Sequence, residues 1–478
     1  MKRNRFRIKS GMTKGCWVPD QVPNDKGLLD SGPSLECRSG RLPMSDILFS
    51  LHSWPRAIMH IDGDAFFTSC EEAIHPELRG KPLITGGERG IVACASYAAK
   101  RMGVKRGVPL HQARILCPDL ITLPSDYETY SLFSRRMFSI IRRFTPQVEE
   151  YSIDEAFADI TGMRRALHAS YEAITLRIKR EIEKELGIGI SAGLSLTKVL
   201  AKVASKYQKP DGLTVIPGRS IARYLQALPV EKIWGIGHAT TSYLNKMGVR
   251  TALEFARIPE DTVRKRFTKP GVEIWRELRG ESVYPVIPEE KSAYASISKM
   301  KTFAPPTGDR EYLFAHLLRN LESACIKARC YALSPRKIVP ILKKNNFDTA
   351  GVEAKLTRPS VYPLELSVIL KGLFDQIYDE RERYRATGII LLDLTPDTPV
   401  QYSLFENPLK AEKIRDLYEA ADSLSGKYGK HTLHLGGSHL IEELGRGRRG
   451  EPTVREQTRL YGETGRKHLG LPILHVKA

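Results

Sequence analysis

The amino-acid sequence predicts an α+β protein of several domains, and three observations predict it. Its 478 residues suffice for three or more domains with a substantial core. Apolar runs of strand length, such as Ala57-Ile58-Met59-His60-Ile61, alternate with amphipathic stretches of helix length, such as 127–144. Beyond residue 291, two helical stretches fall among four strand-like ones, the pattern of a compact split-βαβ domain.

Taken in order, residues 1–55 are rich in Gly, Pro, Ser and charge and show no sustained period. A disordered or loosely attached extension is expected there, with Met44 as an alternative start. A buried-type strand over 57–61 leads into Asp62-Gly63-Asp64-Ala65-Phe66-Phe67, followed by a helix over 69–74. Strands are expected over 82–85 and 91–95, a helix over 96–102, and a small basic segment to Pro109. The 127–144 helix precedes an acidic hairpin with strand-compatible runs at 148–153 and 156–160. A helix over 171–186, a strand over 189–194 and a basic helix over 197–207 follow, the last broken by Lys209-Pro210-Asp211-Gly212. After Pro217 the pattern is mostly helical to Gly280, and a Pro-containing connection then marks a boundary. The last domain reads as strand 292–303, helix 310–330, strands 335–343 and 352–357, helix 363–377 and strand 385–393, ahead of a polar tail.

The formal net charge of +19 and a pI of about 9.5 suggest a polyanionic partner, nucleic acid before an acidic membrane surface. No apolar run is long enough to span a bilayer, and the basic start is not followed by an apolar core of signal-peptide length. Seven scattered cysteines, with no C-x-x-C pair, argue for a reducing compartment and against a disulfide framework or a zinc site. A cytoplasmic address, on or near the chromosome, is expected.

The chemistry concentrates at Tyr151-Ser152-Ile153-Asp154-Glu155-Ala156-Phe157. Adjacent residues inside a strand face opposite ways, but a hairpin turn breaks the alternation and lets Asp154 and Glu155 project together. Two like charges so close call for a cation, and hard oxygens without His or Cys favour Mg²⁺ or Mn²⁺ over zinc. An acidic, solvent-exposed turn is the plain alternative. Asp62, at the end of an apolar strand, supplies a third carboxylate; Asp64 competes for that place, although a surface or turn carboxylate is the expectation for it. Three such acids suit two cations held roughly 3.5–4 Å apart for phosphoryl transfer. Lys198 and Lys202, on one face of a basic helix, are expected as solvated surface charge.

His60-Ile61-Asp62-Gly63-Asp64-Ala65-Phe66-Phe67, Ala95-Ser96-Tyr97-Ala98-Ala99-Lys100-Arg101, Tyr151 to Phe157, and Gly193-Leu194-Ser195-Leu196-Thr197-Lys198 with Lys209-Pro210-Asp211-Gly212 occur in an informative order. They resemble the motifs of Y-family translesion DNA polymerases, in the bacterial polymerase IV (DinB-like) branch. The resemblance runs from about residue 57 to about 440. It implies an α+β right-hand polymerase. A discontinuous palm would cover 56–67 and 126–216, fingers 68–125, a helical thumb 217–284, a linker 285–290, a little finger 291–398 and a tail 399–478.

By the same resemblance, Asp62 and Asp154 would bind two Mg²⁺ ions, with Mn²⁺ as a substitute and the Gly63 carbonyl as a further ligand. Glu155 would complete the site beside the primer 3′-hydroxyl. Gly63 departs from the family, where a larger apolar residue is usual. Phe67 resembles the steric gate against ribonucleotides, which requires the strand to end before it. Strand alternation would instead put Phe66 on the face of Asp62, so Phe66 is a second nucleotide-binding candidate, and ordinary core packing is the alternative for both. Tyr97, Lys209, Lys100 (where Arg is usual) and Cys94 (where a small hydroxyl residue is usual) resemble the triphosphate contacts.

Trp234-Gly235-Ile236-Gly237-His238 reads as a helix-hairpin-helix whose Gly235 and Gly237 let backbone approach a DNA phosphate. Gln401-Tyr402-Ser403-Leu404-Phe405 resembles the peptide that docks bacterial polymerases on the sliding clamp, with Gln401, Leu404 and Phe405 as anchors. The implied partners are primer-template DNA, deoxynucleoside triphosphates and that clamp, for a monomeric protein with no membrane partner. A catalytically idle adaptor of the same fold and a nucleotide cyclase are the competing classes. Three intact acids oppose the first, and the helix-hairpin-helix and clamp-like peptide oppose the second.

Overall fold

In the computed structural model, residues 6–8, 54–289, 294–397, 408–428 and 430–441 are described. The chain divides into two units, Glu36–Glu290 and a second that joins Met1–Leu35 to Lys291–Ala478.

The first unit is organised on a five-stranded sheet in the order Val148–Glu150, Glu155–Asp159, Ile58–Gly63, Ile190–Ser195, Leu213–Val215. Only the last junction is parallel. Ile58–Gly63 and Ile190–Ser195 are buried at every residue, as befits strands covered on both faces. Helices Tyr171–Leu186 and Lys198–Tyr207 pack on the sheet. The second lies directly on Gly193, where a Cβ would come within 2.2 Å of the Ala201 carbonyl oxygen and the Ser205 nitrogen. Only glycine permits so close an approach.

A small sheet of Cys94–Ala95, Leu83–Thr85 and Ile121–Leu123 carries its own core around Ile84, Ala99, Val104 and Cys117. Helix Leu110–Leu116 and strand Ile121–Leu123 extend the order beyond the expected basic segment. Five helices between Ile221 and Leu278 close over a core that includes Leu244, Phe255 and Trp275. One of them, Ala252–Arg257, starts with a full capping box between Thr251 and Glu254.

The second unit holds a sheet in the order Phe6–Ile8, Thr349–Gly351, Leu333–Lys344, Tyr384–Pro396, Ser296–Thr307, antiparallel throughout, with Ala354–Lys355 also paired to Leu333–Lys344. Helices Arg310–Cys330 and Pro363–Ile377 each return the chain two places across the sheet, past an intervening strand. That is the split-βαβ pattern.

Two findings depart from expectation. Within the loose extension, Phe6–Ile8 forms the edge strand, while the rest of 1–53 lies outside the described residues. The polar tail contains helix Pro408–Tyr428, which buries Ile414 in the core and fixes Asp422 to Arg329 through two bonds of 2.6 and 2.8 Å. No described helix is long and apolar enough to cross a membrane.

Candidate active site

The strand pairing of the first unit brings its acids together. Asp62 on the central strand stands opposite Glu155 in the antiparallel register, where directly paired side chains lie about 4.5–5.5 Å apart at Cβ. The hairpin turn closes tightly, with the amides of Tyr151 and Ser152 both donating to the Glu155 carbonyl at 3.1 Å. Its last residue, Asp154, accepts the Gly63 N–H on its carbonyl at 2.8 Å. Ser152 Oγ donates to Asp154 Oδ1 at 2.6 Å and so fixes that side chain. All three acids therefore gather at one end of two neighbouring strands.

Electrostatics at this corner favour a cation. Burial raises the Asp62 carboxyl pKa, the Lys209 ammonium opposes the rise, and neighbouring Glu155 adds to it. Lys209 bonds Asp62 Oδ1, and Lys202 Nζ lies 2.9 Å from Glu155 Oε2. Among the described residues, no group of three or more His, Cys, Asp and Glu closes to metal-holding distance. Carboxylate oxygens, one of them on a buried acid destabilised by its like-charged neighbour, are nonetheless donors that suit a hard divalent ion.

Asp64 lies in the turn after the strand, one of the two places expected for it, but it is not at the surface, being only 3% exposed. Its Oδ2 accepts from Ser191 Oγ and the Asp211 amide, both at 2.7 Å, and its Oδ1 accepts from the Tyr97 hydroxyl at 3.2 Å. Saturated in this way, it ties three segments together. Tyr97 is thereby fixed, its phenol pKa pushed up by burial and then by Asp64. The Lys100 ammonium lies over its ring, 4.2 Å from the centroid. Cys94 is half-buried, with Sγ 4.0 Å from Thr68 Oγ1.

Strand alternation does not reach Phe66 or Phe67. The strand ends at Gly63, Ala65 takes a left-handed conformation with φ 47°, and a helix spans Phe66–Ile74. The buried Phe66 ring occupies the space beside Gly63, where a Cβ would meet Phe66 Cδ2 at 2.8 Å. Phe67 is half-buried and stacks on Tyr130 at 4.4 Å, with Tyr127 edge-on at 5.4 Å. Tyr130 is anchored by donating to Glu71 at 2.7 Å.

Lys198 and Lys202 overturn the expectation of solvated charge, being 4% and 5% exposed. Lys198 holds both oxygens of Glu149 at 2.6–2.7 Å. Their partners lie 47 and 49 residues away in sequence, so the sequence carries no local sign of them. Ser152, Ser191 and Trp234 were likewise not identified as site residues. The nearest sequence signal is the position of Ser152 inside the acidic turn. Gly235 has φ +89° and packs against Ile274, whereas Gly237 is extended and open, at the start of helix His238–Lys246. Gln401, Leu404 and Phe405 lie outside the described residues.

The impB/mucB/samB family matches residues 61–206, its C-terminal domain residues 295–404, and the IMS family HHH motif residues 219–249. The chain is 34% identical over 379 residues to a DNA polymerase IV of Desulfatibacillum aliphaticivorans, covering 79% of this chain and 95% of that relative. It is also 34% identical over 383 residues to a DNA polymerase IV of Moorella thermoacetica, with coverage of 79% and 95%. Among solved structures, a Y-family DNA polymerase chimera of Dbh and Dpo4 aligns with a TM-score of 0.60 at 25% identity, over 71% of this chain and 99% of that one. The fold is that of a right-hand polymerase with palm, fingers, helix-hairpin-helix thumb and little finger. With family matches between residues 61 and 404 and relatives aligned over 79% of it, the chain belongs to the impB/mucB/samB family, in the DNA polymerase IV (DinB-like) branch of the Y-family translesion DNA polymerases.

Proposed function

We propose that this translesion DNA polymerase extends a primer 3′ end through Asp62, Asp154 and Glu155, with two Mg²⁺ ions, for which Mn²⁺ can substitute. The pairing of Asp62 with Glu155, and of the Gly63 amide with Asp154, carries the reading. Asp62, Asp154, Glu155 and the Gly63 carbonyl would hold the ions, which would supply neutralisation of the charge that develops in phosphoryl transfer. Glu155 orients the primer hydroxyl. Lys209, beside Asp62, is placed to meet the triphosphate, together with Tyr97, Lys100 and Cys94. Phe67, backed by Tyr130, sits as the steric gate, and Phe66 supports the turn.

Backbone around Gly235 and Gly237 holds a DNA phosphate without reading sequence. Gln401, Leu404 and Phe405 engage a bacterial sliding clamp. The protein acts as a cytoplasmic monomer on primer-template DNA and deoxynucleoside triphosphates. Palm, fingers, thumb and little finger take the boundaries given from the sequence.

Primer extension with Mg²⁺ tests the assignment. Synthesis is expected in the wild type and abolished in Asp154→Ala and Glu155→Ala. Template-dependent synthesis surviving in both variants removes the assignment, and synthesis absent from the wild type favours the idle adaptor. Phe67→Ala is expected to raise ribonucleotide insertion; a rise only in Phe66→Ala moves the gate by one residue.

A further inference from the structure

We infer that Trp234 is a positioning residue for Glu155, acting through Lys202, so that the helix-hairpin-helix turn and the catalytic acid are mechanically coupled. The inference rests on the reading of Glu155 as the acid at the primer terminus.

The geometry forms a short chain of contacts. Trp234 immediately precedes Gly235 of the turn. Its Nε1 donates to the Tyr151 hydroxyl at 3.0 Å, and the two rings meet edge to face at 5.4 Å and 86°. The Lys202 ammonium sits against both rings, 4.2 Å from the centroid of Tyr151 and 5.3 Å from that of Trp234. The same ammonium bonds Glu155 Oε2 at 2.9 Å.

A lysine side chain is flexible, and its ammonium has no fixed direction of its own. Here the direction comes from two aromatic rings and one carboxylate around an ammonium whose side chain is buried. Tyr151 also belongs to the turn that carries Asp154, so the grip extends to the hairpin itself. Removing the Trp234 face frees Lys202 to rotate, and Glu155 loses the partner that fixes its carboxylate plane. A shift of the turn on seating a DNA phosphate passes along the same contacts. Trp234 also packs on Phe157 at 5.6 Å, which ties it to the strand that starts at Glu155.

The test is a double-mutant cycle read by single-turnover primer extension, with DNA affinity and nucleotide KM measured beside it. Trp234→Leu is expected to lower the extension rate about tenfold with DNA affinity and KM within about twofold, and Trp234→Phe to recover most of the loss. Lys202→Met is expected to lower the rate at least as far, and Trp234→Leu to add nothing in that background. Independent, multiplying effects overturn the inference, as does a neutral Lys202→Met or a Trp234→Leu defect confined to DNA affinity. Where Trp234→Leu does not fold, Tyr151→Phe, which deletes only the hydroxyl that Trp234 bonds, enters the same cycle with the same expectation. Synthesis that survives Glu155→Gln removes the role of Glu155 itself. A synthesis that needs Glu155 yet shows multiplying effects removes the coupling alone.

Discussion

The acid corner of the first unit and the sheet of the second put buried charge to different uses. At the acid corner, Asp62, Asp64, Lys198 and Lys202 are all buried, and each is paired with a group from another element. In the second unit the core is a continuous apolar cluster around Leu317, Leu342, Phe374 and Ile389. One acid, Glu322, is as buried there, satisfied by the Leu435 amide at 2.6 Å and Ser438 Oγ at 3.0 Å. Burying ions costs several kcal/mol each before pairing, so the first unit accepts that cost where charge has chemistry to perform. The second unit also buries charge, the Arg319 and Arg329 side chains being only 13% and 12% exposed beside Glu322 and Asp422, but these pairs stand against an apolar core. Stability and activity are entangled in one region and separable in the other.

The largest effects are expected where two acids only two residues apart serve opposite ends. Asp62→Asn should abolish primer extension while leaving stability unchanged or raised, because burial and Glu155 both disfavour its ionised form. Asp64→Ala should cost about 3 kcal/mol, since it strands the Ser191 hydroxyl, the Asp211 amide and the Tyr97 hydroxyl. Urea unfolding of both variants checks the contrast, and equal losses of stability would erase it.

The second unit should answer to pH through His316, whose pKa burial lowers to about 4 from 6.5, with Lys301 and Arg319 adding to the fall. A depressed folded pKa means that the unfolded chain takes up the proton first. Stability is thus fully present above pH 6.5 and drains away as pH falls toward 4. Discounted for solvent screening, the loss is about 1–2 kcal/mol. Calorimetric unfolding of His316→Phe should show a flatter profile across that window; an unchanged slope assigns the acid sensitivity elsewhere.

The smallest effect concerns Asp422→Ala, which removes the bidentate partner of Arg329. About 1 kcal/mol should be lost, seen as faster amide exchange along Pro408–Tyr428 with primer extension intact. Slowed extension would show that the second unit, too, mixes stability with activity.

Periodicity made much of this fold readable. The helix over 171–186 forms with those bounds, because Ser170 caps it and Gly187 ends it in a left-handed turn. The gathering of Asp62, Asp154 and Glu155 was also legible, since a hairpin next to a buried strand leaves few arrangements. Phe67 was legible only through the resemblance, which requires the strand to end before it; the strand does end at Gly63, and left-handed Ala65 breaks the alternation that favoured Phe66. The burial of Lys198, Lys202 and Asp64 was not legible, for a different reason. Burial of a charged side chain depends on partners distant in sequence, and local pattern holds no trace of them. The helix of the tail was missed because it offers the core little beyond Ile414 and Tyr418.

Gly193 sets the tolerance of the whole corner. Helix Lys198–Tyr207 rests on bare backbone there, and an added methyl would press on the Ala201 carbonyl and the Ser205 amide. Lys198 and Lys202 ride on that helix one turn apart, each holding an acid of the hairpin at no more than 2.9 Å. A carbon atom at residue 193 would lift both ammonium groups together and loosen both grips on the hairpin. The alignment of the acids is thus bounded by the thickness of one hydrogen atom, at a buried residue under the helix.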